Sequence, residues 1–158
     1  GEGYSGLLPS LLKAGAQVKA LDASYFLGER PPGPETQKMQ DFEEAFGEHL
    51  VRGDARNFFT ALNSPLRGRK YDAILSHLLV NNVSREAGLE IVGNCVQALA
   101  PLGEARIQGF TIGQLNNDVE PFLRHLEKSS SMELKIEIHE TDNVWLKDSW
   151  LLVIKRIR

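Results

Sequence analysis

The first six residues, Gly1-Glu-Gly-Tyr-Ser-Gly6, form a G-x-G-x-x-G pattern directly before a predicted helix. Glycine lets the backbone approach a ligand closely, and the free N–H groups at a helix start attract a polar or anionic group. Short glycine patterns also occur in ordinary tight turns, so this pattern alone predicts little. Its significance depends on the residues that come after Gly6.

An acidic residue lies at the distance from the glycines that nucleotide sites use. Asp22 closes the next predicted strand, about 20 residues after Gly1. A carboxylate at the end of that strand can accept hydrogen bonds from a pair of ribose hydroxyls. It can also cap the following turn through Ala23 and Ser24. Glycine loop, helix, strand and terminal acid together predict a ligand of nucleoside type.

The elements that would position these residues alternate between short β-rich apolar runs and longer segments with helical spacing, which predicts an α/β fold. Predicted helices cover residues 7–14, 35–48, 55–62, 85–99 and 119–128, and predicted strands cover residues 17–22, 50–53, 71–79, 105–112, 132–139 and 150–157. The run 71–79 is apolar enough to predict a strand buried on both faces. About ten residues join the last two strands, which predicts that they are antiparallel neighbours.

Composition indicates one globular domain spanning residues 1–158. The chain is 42% hydrophobic and 25% charged, and its 21 acidic residues outnumber its 18 Lys and Arg residues, giving a formal charge of -3. This balance provides no overall attraction to nucleic acid, which is therefore not expected as a partner. Residues 91–103 form the longest run without a charged side chain, and this run is too short to span a membrane.

Cysteine and histidine usage argues against a metal centre. Cys95 is the only cysteine, which excludes an internal disulfide and a zinc site built from cysteines. The four histidines show no spacing typical of paired metal ligands. A bound metal is therefore not expected. No secretory signal is visible either, so we expect a cytoplasmic protein.

Several segments, in order, resemble the class I S-adenosylmethionine-dependent methyltransferases, and the resemblance covers nearly the whole chain. The matching segments are GEGYSGLLPSLLKAGAQVKALDAS for the glycine loop, helix and second strand, VRGDAR after the third strand, YDAILSHLLVNNV for the fourth strand and its exit, and LAPLGEARI for the turn and fifth strand. The antiparallel ending is also a mark of this family. One departure is that Leu102 separates Pro101 from Gly103, where the family usually has Pro-Gly-Gly.

The resemblance implies S-adenosylmethionine as cofactor, methyl transfer to a small or medium-sized acceptor, and a set of site residues. Asp22 takes the ribose-binding place, Asp54 the place that binds the adenine amino group, and Ala55 packs beside the ring. His77 leaves the predicted fourth strand at the crevice where open α/β sheets bind ligands, so it is the candidate general base, with a packed, hydrogen-bonded histidine as the alternative. The implied cofactor-binding residues are Gly1, Glu2, Gly3, Gly6, Asp22, Ala23, Asp54, Ala55 and Ser76.

The family's first strand precedes the glycine loop at the centre of the sheet, and nothing in this sequence corresponds to it. Without that strand, two buried strand edges would lack partners, at roughly 1–3 kcal/mol for each unsatisfied group. We therefore expect a Rossmann-like sheet that is mostly parallel, has an antiparallel C-terminal strand and is N-terminally incomplete in these 158 residues.

Other interpretations are compatible with the same residues. The chain could be a catalytically silent, methyltransferase-like module for cofactor binding or interaction, or a nicotinamide-dependent reductase that shares the glycine loop and Asp22. Asp54 could instead be the N-cap of the helix predicted at residues 55–62. The segment containing Arg67, Arg69 and Lys70 is predicted to be a solvated turn, with a phosphate or nucleic-acid contact as the alternative.

Overall fold

A computed structural model of the chain describes residues 7–23, 32–76, 80, 83–141 and 149–158. It is an α/β protein with two compact units, Gly1–Ala55 and Arg56–Arg158. The predicted fold class is confirmed, because parallel strand pairs in both units are followed by an antiparallel C-terminal ending.

The first unit contains one parallel strand pair and its crossover helix. Its elements are α1 (Leu7–Lys13), β1 (Ala20–Asp22), α2 (Pro34–Phe46), a 3-10 turn (Gly47–His49) and β2 (Leu50–Arg52). Strands β1 and β2 pair in parallel, with Ala20 opposite Leu50 and Asp22 opposite Arg52. Parallel neighbours need a crossover connection, which α2 provides here.

The core of the first unit is a small cluster in which apolar residues of both helices and both strands are buried together. Its members are Leu8, Ala20, Met39, Phe42 and Leu50. On α2, Met39 and Phe42 are buried, and the rings of Phe42 and Phe46 have their centroids 5.0 Å apart. This packing holds β1 and β2 in place below their carboxyl ends.

The second unit contains a four-stranded mixed sheet in the order β3-β4-β6-β5. Its elements are β3 (Tyr71–Ser76), α3 (Arg85–Ala98), β4 (Leu99–Phe110), α4 (Ile112–Gln114), a π-helical segment (Leu115–Val119), α5 (Glu120–Ser130), β5 (Leu134–Glu140) and β6 (Trp150–Arg156). Strands β3 and β4 are parallel, whereas β6 is antiparallel to both β4 and β5. The prediction of an antiparallel final pair is therefore confirmed.

Helix α3 begins where its sequence predicts. The Ser84 side chain accepts a hydrogen bond from the backbone N–H of Ala87, which satisfies one of the free donors at the helix start. The inward side of α3 is fully or nearly fully buried at Ile91, Val92 and Val96. These side chains belong to the same core as β4, whose Ile107 is also fully buried.

The prediction of a short helix at residues 55–62 is wrong. This segment consists of turns, in which Asn57 O accepts hydrogen bonds from the backbone N–H groups of Thr60 (3.0 Å) and Ala61 (2.8 Å). Asn, Phe and Thr have low helix propensity, and a single turn carries the whole cost of helix nucleation. Phe58 is nevertheless buried, so the apolar residues of this segment serve the core without forming a helix.

The expectation that the fourth predicted strand is buried on both faces is also wrong for its described part. Among the described strands, β3 pairs only with β4, and Asp72, Ala73 and Leu75 are exposed. A strand with one described neighbour instead of two leaves more of each side chain accessible. Residues 77–79 of the predicted strand lie outside the described residues.

Strand β4 begins earlier than predicted because the Pro101-Leu102-Gly103 turn lies within it. The β3/β4 register shifts here, from Tyr71 opposite Leu99 to Ala73 opposite Glu104. Gly103 is required in this irregularity, since a Cβ atom there would lie 2.9 Å from the carbonyl oxygens of both Ala100 and Tyr71. The sequence predicts only a helix stop at these residues, whereas the structure has a bulged strand start.

Among the described strands, β1 pairs only with β2 and β3 pairs only with β4. The expectation of a further strand before the glycine loop stays a prediction. No helix in the described part of the chain has the length and apolar character needed to cross a membrane.

Candidate functional site

Asp22 and Asp54 follow two neighbouring parallel strands of the first unit. Asp22 is the last residue of β1 and lies opposite Arg52, the last residue of β2. The backbone N–H of Gly53 donates to the carbonyl oxygen of Asp22 at 3.2 Å, which extends the ladder by one bond. Because carboxyl ends of parallel strands meet at one edge, the structure brings Asp22 and Asp54 to the same edge of this sheet.

Gly53 separates the paired strand from Asp54 and approaches β1 closely. A Cβ atom at Gly53 would lie 2.8 Å from Cδ1 of Leu21, so any larger residue would have to displace that side chain. The close approach draws the carboxyl ends of the two strands together. Asp22, Asp54 and Ala55 are all half-buried, while Ala23 is exposed.

Two half-buried carboxylates at one strand edge suit a ligand that offers hydrogen-bond donors. Ionised carboxylates only accept hydrogen bonds, so hydroxyl and amino groups fit this edge and a phosphate group does not. Since residues 55–62 form turns, there is no helix for Asp54 to cap, and that alternative is removed. In the described ranges, no group of three or more His, Cys, Asp or Glu side chains could hold a metal ion.

Ser76 is the other described residue of the implied site, and it lies in the second unit. It is the last residue of β3 and lies opposite Ile107 of β4. Its Oγ atom is buried and has no hydrogen-bond partner among the described residues. A buried hydroxyl without a partner costs roughly 1–3 kcal/mol, which makes Ser76 a candidate to meet a polar ligand atom.

Five of the implied site residues cannot be placed. Gly1, Glu2, Gly3, Gly6 and His77 lie outside the described residues. Tyr4, Asn81 and Asn82, further candidates for lining the pocket or orienting substrate, also lie outside them.

A small cavity in the second unit was not anticipated from the sequence. It lies beyond the carboxyl ends of β3 and β4, with Val80, Gly88, Phe110 and Val119 among its lining residues. Open α/β sheets bind ligands at this end of their strands. Gly88 allows close packing here, because a Cβ atom at this position would lie 3.7 Å from the Phe110 ring.

An ion pair stands at the same cavity. Arg85, in the first turn of α3, contacts the carboxylate of Asp118 in the π-helical segment. Asp118 is largely buried whereas Arg85 is largely exposed. No sequence signal links Arg85 to Asp118, which is distant in the chain.

Comparison with solved structures identifies the class of fold. The chain has the fold of the class I S-adenosylmethionine-dependent methyltransferases, as its resemblance to that family implied. Neither a protein-family model nor a curated protein sequence matches the chain.

Three solved structures illustrate this similarity. The plantazolicin methyltransferase BpumL, solved with S-adenosylhomocysteine and a desmethyl plantazolicin analogue, has a TM-score of 0.63 and 13% identity over 100% of this chain and 75% of its own. A TehB-like S-adenosylmethionine-dependent methyltransferase from Corynebacterium glutamicum has a TM-score of 0.60 and 19% identity, over 98% and 76%. An rRNA methylase from Streptococcus thermophilus has a TM-score of 0.58 and 12% identity, over 100% and 84%. At these identities the similarity establishes the fold, and function must be argued from the site.

Proposed function

We propose that this protein is a methyltransferase that uses S-adenosylmethionine to methylate a small or medium-sized acceptor. The observation that carries the proposal is the meeting of Asp22 and Asp54 at the carboxyl edge of β1 and β2, in a chain with the methyltransferase fold. The structural neighbours support the cofactor, since one of them was solved with S-adenosylhomocysteine bound.

The residues present fit this cofactor. Asp22 would accept hydrogen bonds from the ribose hydroxyls, and Asp54 from the adenine amino group. Gly53, next to Asp54, lets β2 approach β1 closely, because a Cβ atom there would lie 2.8 Å from Cδ1 of Leu21. The remaining cofactor-binding residues in this proposal are Gly1, Glu2, Gly3, Gly6, Ala23, Ala55 and Ser76.

Bound S-adenosylmethionine supplies a methyl group on a sulfonium centre for in-line displacement. The protein's contribution is then chiefly positioning and exclusion of water, because holding the nucleophile near its target lowers the entropic part of the barrier. We assign His77 the role of general base, which is needed only when the acceptor arrives protonated. A neutral imidazole near pH 7 can take that proton.

The size of the acceptor is proposed from the acidic balance of the chain, which gives no overall attraction to a nucleic acid and so favours a small or medium-sized molecule. The small cavity in the second unit, which Val80, Phe110 and Val119 help to line, has room for about one water molecule and does not define an acceptor pocket.

The cofactor proposal is tested by calorimetric titration with S-adenosylmethionine and S-adenosylhomocysteine. Loss of a charge-assisted hydrogen bond costs about 1.5–3 kcal/mol, so Asp22→Ala and Asp54→Ala should each weaken binding by roughly 10- to 150-fold. Asp41→Ala is the matched control, since Asp41 is an exposed carboxylate on α2 that accepts from Gln37 at 2.7 Å. Equal affinity in wild type and both site variants would reject the assignment.

A second candidate, the silent cofactor-binding module, is favoured by the irregular turn at Leu102, where the family usually has Gly. A radiolabelled methyl-transfer assay over a broad acceptor panel separates the two. Binding of S-adenosylmethionine without transfer to any acceptor supports the silent module, and transfer excludes it. Titration with nicotinamide cofactors should give no response, which separates both from a reductase.

A further inference from the structure

Four cationic side chains lie at one edge of the sheet in the second unit. Arg67, Arg69 and Lys70 directly precede β3, and Arg156 ends β6. Because β6 is antiparallel to β4 and β3 is parallel to it, the end of β6 lies at the same edge as the starts of β3 and β4. We call Arg67, Arg69, Lys70 and Arg156 the basic edge.

Two members of the basic edge are fixed by backbone contacts at the carboxyl end of α3. Arg156 Nη1 donates to the carbonyl oxygen of Leu99 at 2.8 Å, and Lys70 Nζ donates to that of Gln97. Lys70 also stands 5.0 Å above the ring of Phe59. Burial, and to a lesser degree the positive charge of Arg156, lower the pKa of Lys70.

The four side chains of the basic edge form no ion pair within the described part of the chain. The adjacent Arg158, by contrast, pairs with Glu133 at 3.3 Å. Acids are plentiful in this protein, with 21 Asp and Glu residues against 18 Lys and Arg residues. Holding like charges together without ion pairs is unfavourable, and an external anion would relieve this repulsion.

The kind of anion is indicated by exposure and span. Arg67, Arg69 and Lys70 are exposed and Arg156 is half-buried, so each contact is made close to water and contributes little by itself. The cations extend from β3 to β6, across two strand spacings, or about 10 Å. An extended polyanion gains from several such weak contacts and from release of its counterions.

We propose that the basic edge binds the phosphate backbone of a single-stranded nucleic acid. Lys70 lies over the ring of Phe59, so this ring is not available to stack on a base. The contacts of the basic edge are therefore made to phosphates, and phosphate contacts carry no sequence preference. This edge is opposite to the one at which Ser76 ends β3. The proposal therefore goes beyond the proposed methyl transfer and is tested independently of it.

The test is fluorescence anisotropy with a labelled 20-nucleotide single-stranded RNA of mixed sequence, at salt concentrations from about 50 to 200 mM. Wild-type affinity should fall linearly on a log–log plot against salt. The double variant Arg67→Ala/Arg69→Ala should bind about two- to thirtyfold more weakly at the lowest salt. Its salt slope should be smaller by about 0.7 for each phosphate that the variant no longer neutralises.

The control is Lys38→Ala/Arg124→Ala, which makes the same change in net charge but removes cations that are ion-paired with Glu35 and Glu127. Its affinity and salt slope should match the wild type, and circular dichroism should show all three proteins folded. Absence of RNA binding by the wild type, or an equal weakening in the control, overturns the proposal. Binding to phosphatidylserine vesicles without binding to RNA also overturns it.

Discussion

At the scale of single residues, Leu102 combines a left-handed backbone with a large side chain in water. Its φ is 67° and the residue is 81% exposed. A non-glycine residue in this conformation costs about 1–2 kcal/mol, and exposure means that no burial offsets the cost. The backbone strain therefore lies at the residue where the sequence departs from the family's Pro-Gly-Gly turn.

Leu102→Gly should therefore raise the free energy of unfolding by about 0.5–1 kcal/mol. The relief of backbone strain exceeds the extra chain entropy that glycine gives the unfolded state. Urea unfolding followed by circular dichroism measures the change. Leu62→Gly is the matched control, because Leu62 is 83% exposed without a positive φ, and it should be neutral or destabilising. A stabilising Leu62→Gly, or a destabilising Leu102→Gly, would contradict the assignment of strain to Leu102.

The sequence pattern predicted the position of Asp22 but left the role of Asp54 open. Asp22 ends its strand as the spacing predicted, and Gly53 closes onto β1 so that Asp54 follows the neighbouring strand at the same edge. The sequence left Asp54 between a ligand role and an N-cap role. The turns at residues 55–62 removed the N-cap role, because a cap needs a helix.

At the scale of elements, cross-strand charges link the three strands β4, β6 and β5. Lys155 Nζ lies 3.4 Å from Glu104 Oε2 and 4.0 Å from Glu137 Oε1, and Arg106 also pairs with Glu104. The hydrogen bond from Arg106 is the main cause of a lowered pKa at Glu104, and the one from Lys135 is the main cause of a lowered pKa at Glu137.

The lowered pKa values predict that acid weakens the sheet. A carboxyl group with a lower pKa in the folded state stabilises the fold above its unfolded pKa, near 4.3, and loses this contribution as pH falls through the folded pKa. The free energy of unfolding should therefore decline from about pH 5 toward pH 3.

The contribution of Glu104 to this decline should be below about 1 kcal/mol, because its pairs are near solvent. Urea unfolding at a series of pH values should show a shallower decline for Glu104→Gln than for wild type. Glu44→Gln is the control, since Glu44 is exposed on α2 and forms no ion pair with any residue in the described ranges. Identical curves for Glu104→Gln and wild type would refute the contribution.

At the scale of the molecule, the core of the second unit is sealed around Cys95. This residue on α3 is 3% exposed, and burial raises the pKa of its thiol to about 12. Only the thiolate reacts with disulfide reagents. The native thiol is therefore protected in two ways: its raised pKa keeps it protonated, and its burial keeps the reagent away. The single cysteine thus reports on opening of the whole unit.

Cys95 should react with a thiol-disulfide reagent at pH 8 roughly a thousandfold more slowly in native buffer than in urea. An unfolded thiol with a pKa near 8.5 is substantially ionised at this pH, whereas the buried thiol is almost entirely protonated. Absorbance at the reagent's product band measures the rate, and S-adenosylmethionine at saturation should slow it further if ligand binding stabilises the fold. Fast native labelling that equals the unfolded rate would contradict the sealed core.

The sequence by itself determined the features that depend on local spacing. Helix α3 begins at the Ser84 cap, α2 buries Met39 and Phe42, and β5 and β6 pair as antiparallel neighbours. Each follows from hydrogen-bonding or periodicity rules that act within a few turns or a short loop. The same locality explains why the α/β class could be predicted.

Only the tertiary structure decided which distant residues meet. Arg156 donates a hydrogen bond to the carbonyl oxygen of Leu99, Asp118 pairs with Arg85, and β3 has exposed side chains and pairs only with β4 among the described strands. These outcomes depend on strand order and register, which bring together residues far apart in the chain. No local pattern encodes such contacts, because their energy exists only once the sheet has formed.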